Sequence, residues 1–332
     1  MTTKTVYIEI TNRCNFNCQT CYNRSGLNRQ TKELSPEMVR TIISIFSQYG
    51  ANRFLLSGGE PTLHSQFNKI LDIVEEYPEY SFGFTTNGSC RDQRFIDILS
   101  GHENITLQVS LDGSCEEQNA KTRGAGNFQQ ALDFVTSVHN PWQKPLLKMV
   151  ISRSNMEDVE EFFRLALSTN CIPEFAFIYR SGNAVDGWDQ KMLTNMEKTK
   201  ILHLIDRLNK EHNISAHLPL CTLRCPFINN MQELSLCIKT DGSVQPCQTL
   251  YDEAFTMANI LQFDKEAFDK RAAEIQAMAA QRAQEDYGCA RCMIRELCNG
   301  GCMAAAYLST GDPLSCDGDC QLRKRQFLDF RM

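Results

Sequence analysis

Residues 5–22 read TVYIEITNRCNFNCQTCY, and this stretch decides how the chain folds. Over residues 5–10, β-branched and aromatic side chains alternate with polar ones, which predicts a strand that reaches the surface at Thr11-Asn12. Three cysteines follow at once in the spacing C-x3-C-x2-C. The first predicted strand therefore ends in a loop with three closely spaced metal-binding side chains.

Short strands alternate with helical segments from this stretch to residue 179. Six strands alternating with helices predict parallel strands joined by crossover helices, in a doubly wound sheet or in a full or partial barrel. The predicted strands after the first are residues 53–57, 80–86, 105–111, 146–151 and 175–179. The predicted helices start at Pro36 and, further along, cover residues 67–74, 128–138, 156–167, 188–213 and 263–284, and a hairpin is expected over residues 233–246.

The candidate active-site residues directly follow these predicted strands. Gly58-Gly59-Glu60-Pro61 comes after the second strand, and Asn87, Asp112 and Arg180 come after later ones. In a parallel barrel, the carboxyl ends of the strands meet at one face, where active sites form. The sequence therefore predicts a single site at that face.

The composition excludes several function classes. The 332 residues include 34 basic and 40 acidic side chains, for a net charge of −6. Binding of nucleic acid or an anionic membrane needs a basic excess that this chain lacks, so neither partner is expected. Residues 1–25 contain no apolar signal segment, and no run approaches 18 apolar residues, so we expect a cytoplasmic protein.

The sixteen cysteines are the unusual feature of the composition. Dense disulfide frameworks belong to small secreted domains that lack a core, whereas 42% of this chain is hydrophobic. Clustered thiols in a reducing compartment indicate metal or redox chemistry instead. We therefore expect the clustered cysteines to hold metal.

The first cysteine cluster consists of Cys14, Cys18 and Cys21. No histidine or acidic residue lies between Asn12 and Thr31 to serve as a fourth ligand. A structural zinc site needs four ligands, so zinc would require a remote fourth residue, and this alternative stays open. A [4Fe–4S] cluster held by three thiolates leaves one iron open to a small molecule.

These residues resemble a known family. Cys14-x3-Cys18-x2-Cys21 with Tyr22 after a first strand, and Gly58-Gly59-Glu60-Pro61 after the second, resemble the motifs of the radical S-adenosylmethionine (SAM) superfamily. The resemblance implies a partial (β/α)6 TIM-like barrel in which the open iron binds SAM. It also implies reductive cleavage of SAM to methionine and a 5′-deoxyadenosyl radical, which abstracts hydrogen from a substrate.

The same resemblance implies a set of SAM contacts. Ser110 and Asp112 resemble ribose contacts, and Arg123 resembles the arginine that pairs with the SAM carboxylate. Residues 150–151 would flank the adenine together with Tyr22. A turn, a helix cap or a surface ion pair is the alternative for the weaker members. The expected set is Tyr22, Gly58, Gly59, Glu60, Pro61, Thr86, Asn87, Ser110, Asp112 and Arg123.

Ten of the sixteen cysteines lie from residue 221 onward. Their spacing, with Gly242-x4-Cys247 and then C-x2-C-x5-C-x3-C from Cys289, resembles the SPASM extension of radical SAM enzymes. The resemblance implies three domains: a barrel over residues 1–190, a helical linker over 191–219 and a SPASM-type iron–sulfur domain over 220–332. It implies two auxiliary [4Fe–4S] clusters, one on Cys221, Cys225, Cys247 and Cys302 and the other on Cys289, Cys292, Cys298 and Cys320.

Two points stay open in this ligand set. Sixteen residues separate Cys225 from Gly242, slightly more than the family usually has, and Cys237 lies in that gap. Cys237 or Cys316 could replace an assigned ligand. Eight thiolates could also bind two zinc ions, although the barrel motifs favour iron–sulfur clusters, three in total.

Enzymes with this extension mostly modify peptides, and others act on tetrapyrrole precursors. We expect a ribosomal peptide substrate that is crosslinked or otherwise oxidised, with radical tailoring of a cofactor precursor as the alternative. In sulfatase maturases, the residue after the cysteine that corresponds to Cys247 is an aspartate that serves as a base. Here Gln248 follows Cys247 and cannot accept a proton, which disfavours sulfatase maturation. The first strand begins at residue 5, so leader recognition is expected from a separate protein or from the barrel. Flavodoxin or ferredoxin is the expected reductant, and the sequence names no substrate base.

Overall fold

The computed structural model describes residues 4–26, 30–219, 225, 235–281, 289, 291–298 and 300–330. One sheet of nine strands organises them, in the spatial order β6-β5-β4-β3-β2-β1-β7-β8-β9. β1 to β7 are parallel to one another, and the pairs β7–β8 and β8–β9 are antiparallel. The strands are β1 Thr5–Thr11, β2 Arg53–Gly58, β3 Ser81–Thr86, β4 Ile105–Ser110, β5 Leu146–Ile151, β6 Ile172–Phe177, β7 Ser235–Ile238, β8 Ser243–Gln245 and β9 Ala258–Asn259.

Helices connect these strands. A doubly wound sheet reverses its strand order at a switch point, whereas β1 to β6 follow one another without reversal. The strand order therefore confirms the predicted α/β partial barrel. The helices are α1 Pro36–Gln48, α2 Phe67–Glu76, α3 Gln93–Gly101, α4 Glu116–Arg123, α5 Phe128–Ser137, α6 Val159–Ser168, α7 Trp188–Lys191, α8 Asn195–His212, α9 Lys265–Gln281, α10 Arg295–Cys298, α11 Met303–Thr310 and α12 Cys320–Phe330.

Local sequence signals position the crossover helices. Ser35 caps α1 by accepting a hydrogen bond from the Met38 amide, and Pro36 occupies the first turn, as the sequence predicts. The apolar stripe of α1 buries Val39, Ile42 and Phe46 against the sheet.

Up to residue 213, the structure differs from the expected helices in three places: one expected helix is divided, and two further helices are present. The single helix expected over residues 188–213 is two helices, because Met192 turns extended after α7 and Thr194 then caps α8 with a capping box. The pattern also gave no sign of α3 or α4. The sequence of α4, EEQNAKTR, has no apolar stripe. Its buried side chains are the polar Asn119 and Thr122.

The C-terminal region adds strands to the barrel sheet. β7 pairs with β1, placing Cys237 beside Tyr7 and Ile238 beside Ile8, and β7 and β8 form the predicted hairpin. One sheet therefore contains strands from both the barrel and the C-terminal region. In the described residues, no helix is long and apolar enough to span a membrane.

Candidate active site

The loop after β1 brings Cys14, Cys18 and Cys21 to the carboxyl ends of the strands. The Cys21 amide donates to the Cys18 carbonyl at 3.2 Å, and the Gln19 amide donates to the Thr122 carbonyl at 2.7 Å. Burial raises the pKa of the Cys14 thiol to about 12 and that of Cys18 to about 11. Bound iron would supply the positive charge that stabilises these thiolates.

The spacing of these thiols bears on the choice between zinc and iron–sulfur. Tetrahedral thiolates around one zinc ion lie about 3.8 Å apart. The three sulfurs are not all within 4.8 Å of one another, since within the described ranges only Cys316, Asp317 and Cys320 form such a group. The wider spacing suits a cluster whose thiolates bind separate irons.

The loop after β6 supports the cysteine loop from one side. The Asn183 amide donates to the Cys21 carbonyl at 2.8 Å, and its side chain donates to the Cys18 carbonyl at 2.9 Å. Gly182 has a φ of +57°, and a Cβ there would lie 2.2 Å from the Cys21 carbonyl oxygen. Only glycine fits this close approach.

The Gly58-Gly59-Glu60-Pro61 segment supports the cysteine loop from the other side. The Gly59 amide donates to the Thr11 carbonyl at 2.7 Å, and the Glu60 amide donates to the Arg13 carbonyl at 2.6 Å. A Cβ on Gly59 would lie 2.0 Å from the Arg13 carbonyl oxygen. The glycines therefore let two strand ends pack backbone to backbone.

The Glu60 carboxylate is fully buried and joins β2 to the end of β3. It accepts hydrogen bonds from the Thr86 hydroxyl at 2.7 Å and from the Asn87 amide at 2.7 Å. Burial raises the pKa of Glu60 even though these hydrogen bonds lower it. The Asn87 side chain then donates to the side chain of Asn15, inside the cysteine loop, at 2.8 Å. Glu60 therefore holds Thr86 and Asn87 at the end of β3, and Asn87 in turn holds Asn15 of the cysteine loop.

A buried ion pair lies beneath the cysteine loop. The Arg123 Nε lies 3.1 Å from the Asp112 Oδ2, and the Arg123 Nη1 lies 4.0 Å from the Cys18 sulfur. Asp112 has no exposed surface, and its carboxylate also accepts from the Thr122 hydroxyl and the Val150 amide. Asp112 therefore orients the Arg123 side chain, and its guanidinium lies beside the Cys18 thiol.

Three other expected SAM contacts lie at strand ends or in the loops that follow them. Ser110 ends β4 and is half-buried. Pro61 begins a 3-10 turn, Pro61–Leu63, that follows the glycine segment. The Tyr22 phenol has its pKa raised by burial, with Glu9 adding to the effect.

The C-terminal cysteines converge in part. Burial raises the pKa of Cys302 to about 12, and the nearby Cys247 and Cys225 thiols add to this. These are three of the four expected ligands of the first auxiliary cluster, and the fourth, Cys221, lies outside the described residues. Cys237 is buried, and its sulfur lies 3.7 Å from the Glu9 carboxylate.

Near the second expected set, the structure places a further thiol, that of Cys316, beside Cys320. The sulfurs of Cys316 and Cys320 lie 3.3 Å apart, and the Cys316 thiol raises the pKa of Cys320 to about 12 in addition to burial. Cys289 and Cys292 share a turn closed by a 3.0 Å backbone hydrogen bond, and Cys298 ends α10. Cys316 is thus the thiol placed next to Cys320.

A cavity of about 680 Å³ separates the barrel edge from the C-terminal helices. Its lining includes Glu174 and Trp188 on the barrel side and Cys302 and Cys316 on the other. The Arg180 guanidinium crosses it to the Ser309 carbonyl at 3.3 Å. Among the described residues, its lining includes these two C-terminal cysteines and none of the three cysteines of the loop after β1.

Sequence reasoning missed several residues of the site. Asn15, Thr20 and Asn183 act through hydrogen bonds that no motif signals. Glu9 could have been found, because a carboxylate inside an apolar strand such as residues 6–10 is unusual. His64 has no functional geometry, since its ring nitrogens bond to the Leu34 carbonyl and the Gln66 amide.

Comparisons with known proteins agree with this site. A model of the radical SAM superfamily matches residues 8–166. Mycofactocin maturase MftC of Mycolicibacterium smegmatis is 27% identical over 92% of this chain and 79% of its own length. Fe-coproporphyrin III synthase of Methanosarcina barkeri is 24% identical over 96% of this chain and 87% of its own length.

A solved structure shares the fold. Streptococcus suis SuiB bound to S-adenosylmethionine superposes with a TM-score of 0.77 at 16% identity, over 95% of this chain and 76% of SuiB. SuiB bound to its precursor peptide SuiA superposes with a TM-score of 0.70 at 17% identity, over 95% of this chain and 75% of SuiB. The barrel and the C-terminal region are thus both covered by this similarity.

Proposed function

We propose that this chain, which belongs to the radical SAM superfamily, is a maturase that abstracts hydrogen from a ribosomal peptide and oxidatively modifies it, for example by a crosslink. The observation that carries the proposal is the cysteine loop, held over the strand ends by backbone contacts, with the Arg123 guanidinium 4.0 Å from the Cys18 sulfur. When bound, a [4Fe–4S] cluster and SAM supply the electron and the 5′-deoxyadenosyl radical.

The chain's own residues bind and orient these groups. Cys14, Cys18 and Cys21 would hold the cluster, and Arg123 would pair with the SAM carboxylate through its free guanidinium edge. Asp112 fixes the Arg123 side chain from below. The strand-end loops would present the other contacts, mostly through backbone atoms, from Tyr22, Gly58, Gly59, Glu60, Pro61, Thr86, Asn87 and Ser110.

The C-terminal region would hold two auxiliary [4Fe–4S] clusters that accept the electron released when the substrate radical closes a bond. The convergence of Cys225, Cys247 and Cys302 supports the first, with Cys221 as its fourth ligand. Cys289, Cys292, Cys298 and Cys320 would hold the second, with Cys316 able to take the place of Cys320. Residues 220–332 would form this SPASM-type domain, after the barrel over 1–190 and the linker over 191–219.

Iron content and SAM cleavage test the cluster assignment. Anaerobic reconstitution should give about 12 irons per chain. The triple variant Cys14→Ala/Cys18→Ala/Cys21→Ala should lose about four irons and all formation of 5′-deoxyadenosine. Cys115→Ala removes an exposed cysteine and should change neither. Cleavage of SAM by the triple variant would contradict the assignment.

The relatives support a maturase, and SuiB is a structural neighbour seen with a precursor peptide. A peptide encoded beside this gene should lose two hydrogens on incubation with the enzyme, SAM and a flavodoxin or ferredoxin reductant. A separate leader-binding protein would deliver it.

A second candidate is radical tailoring of a tetrapyrrole side chain. The similarity to Fe-coproporphyrin III synthase over 96% of the chain favours it, and so does the 680 Å³ cavity, which suits a small molecule. A change of mass in a tetrapyrrole precursor, with every neighbouring peptide unchanged, would select this candidate.

A further inference from the structure

A buried charge pair lies between the barrel and the C-terminal hairpin, and the site described above does not use it. Glu9 is near the end of β1, and Lys239 follows β7. The Lys239 ammonium lies 2.7 Å from the Glu9 carboxylate, and the two side chains are 14% and 1% exposed. Such a pair is stable only when further polar contacts satisfy it.

Those contacts come from the cysteine loop. The Lys239 ammonium donates to the Asn23 side-chain oxygen at 3.1 Å, and the Asn23 amide donates to the second Glu9 oxygen at 2.9 Å. Asn23 lies two residues after Cys21. The three side chains therefore form a closed ring that ends on the cluster-bearing loop.

A second contact joins the C-terminal region to Tyr22, the residue before Asn23, through Tyr251. The Lys239 ammonium lies 4.4 Å from the centre of the Tyr251 ring, a cation–π distance. The Tyr251 hydroxyl donates to the Tyr22 carbonyl at 2.6 Å. Tyr22 and Asn23 are thus both held by residues that flank Cys247 in the sequence.

We propose that Lys239 is a positioning residue, and that its contacts with Glu9, Asn23 and Tyr251 form a clamp that fixes the cluster-bearing loop to the C-terminal hairpin. Movement of the hairpin would leave the Glu9 carboxylate buried and unpaired, which is strongly unfavourable. The loop and the hairpin therefore take up their positions together. Lys239 and Tyr251, which lie on either side of Cys247 in the sequence, thus fix the position of the cysteine loop after β1.

The clamp is geometric, and its meaning for catalysis rests on the proposed function. Hydrogen–deuterium exchange on the iron-free full-length protein tests the geometry alone. Lys239→Met should make exchange of residues 14–26 at least about tenfold faster, because two charge-assisted hydrogen bonds to the ring are lost. Exchange in β3 and β4 should stay unchanged.

A matched control separates the clamp from general destabilisation. Lys198→Met removes a lysine that is 16% exposed and pairs with Asp319 at 2.9 Å, between α8 and α12. It should leave exchange in residues 14–26 unchanged. Equal exchange of this loop in the two lysine variants would overturn the clamp.

A paired variant covers the case in which Lys239→Met does not fold. Glu9→Gln/Lys239→Met leaves no unpaired charge, yet it still removes the ammonium from Asn23 and Tyr251. It should show the same faster exchange of the loop, and wild-type exchange would overturn the proposal.

The reconstituted enzyme gives a second readout. At full iron content, Lys239→Met should alter the change in the electron paramagnetic resonance spectrum that SAM produces in the reduced N-terminal cluster, and Lys239→Arg should restore it in part. If the protein shows no SAM-dependent signal at all, the proposed function fails, while the exchange result still decides the clamp.

Discussion

The two cysteine regions of the molecule are positioned in different ways. The N-terminal loop is held by backbone hydrogen bonds, from the Asn183 amide at 2.8 Å and between Gln19 and Thr122 at 2.7 Å. Among the described C-terminal cysteines expected as ligands, the backbone hydrogen bonds stay within a few residues, as between Cys292 and Cys289 at 3.0 Å, and the longer-range contact comes from a side chain. The Cys302 amide donates to Asp317 at 2.9 Å, and Asp317 is paired with the buried Arg323.

Under the proposed function, this difference predicts how each region would gain its metal. The fold forms the N-terminal site in advance, because strand ends and glycines fix the loop before iron binds. Under the proposed function, metal ligation would contribute more of the order at the C-terminal sites, whose backbone hydrogen bonds are local, as in small metal-stabilised domains. Changes of backbone shape should therefore be most damaging in the barrel, and changes of ligand should be most informative in the C-terminal region.

The largest effect is expected from Gly182→Ala. The added Cβ would meet the Cys21 carbonyl oxygen at 2.2 Å, so the cysteine loop must move. We expect the variant to lose about four irons per chain and its SAM cleavage, while its auxiliary clusters remain. Iron analysis and detection of 5′-deoxyadenosine check this.

Gly126→Ala is the matched control. Gly126 also has a positive φ, +87°, but a Cβ there would have no neighbour within 4 Å. It should lower the free energy of unfolding by about 1 kcal/mol and leave iron content unchanged. Iron loss in both variants would show that strain, and not contact with Cys21, controls the first site.

Much of the barrel could be predicted from the sequence, because each strand carries its own signal. The buried run at residues 146–151 is β5 to the residue. Loop residues that follow such strands had to share one face, which brought Cys14, Gly59 and Asp112 together before any coordinates. The alternating pattern alone left a doubly wound sheet and a barrel open, and the resemblance to the radical SAM superfamily implied the partial barrel.

The remainder depends on contacts between distant residues. Glu9 and Lys239 are 230 positions apart, so no local pattern could pair them. The break between α7 and α8 depends on the cap at Thr194, which lies inside a helical pattern. The place of Cys316 depends on how the chain turns before α12, whereas its spacing alone left two ligand sets open.

A smaller effect is expected from Asp112→Asn. The variant keeps the shape of the side chain but removes the negative charge that holds the Arg123 guanidinium at 3.1 Å. We expect about tenfold weaker SAM binding to the reconstituted enzyme, with iron content retained. Equilibrium dialysis of SAM measures this.

Asp72→Asn is its control, since Asp72 pairs with Arg94 on the exposed surface. Exposed pairs contribute little, so SAM binding should not change. Unchanged binding in Asp112→Asn as well would mean that Arg123 is held by its other neighbours, and that the barrel site is less dependent on this pair than its burial suggests.

The smallest effect is expected at the second auxiliary site. Thiolates on separate irons of a [4Fe–4S] cluster lie roughly 6 Å apart, whereas the sulfurs of Cys316 and Cys320 lie 3.3 Å apart. Under the proposed function, the two thiols would therefore compete for one iron. Cys316→Ala and Cys320→Ala should each retain about 12 irons per chain, because the remaining thiol takes the position, and the double variant should lose about four.

Loss of iron in Cys320→Ala alone would assign the ligand to Cys320 and leave Cys316 spare. Retention of all iron in the double variant would exclude both thiols and require a ligand from elsewhere. Either result would sharpen the contrast between the two regions, because Cys320 has a second thiol 3.3 Å away, whereas the three cysteines of the loop after β1 are fixed by long-range backbone hydrogen bonds.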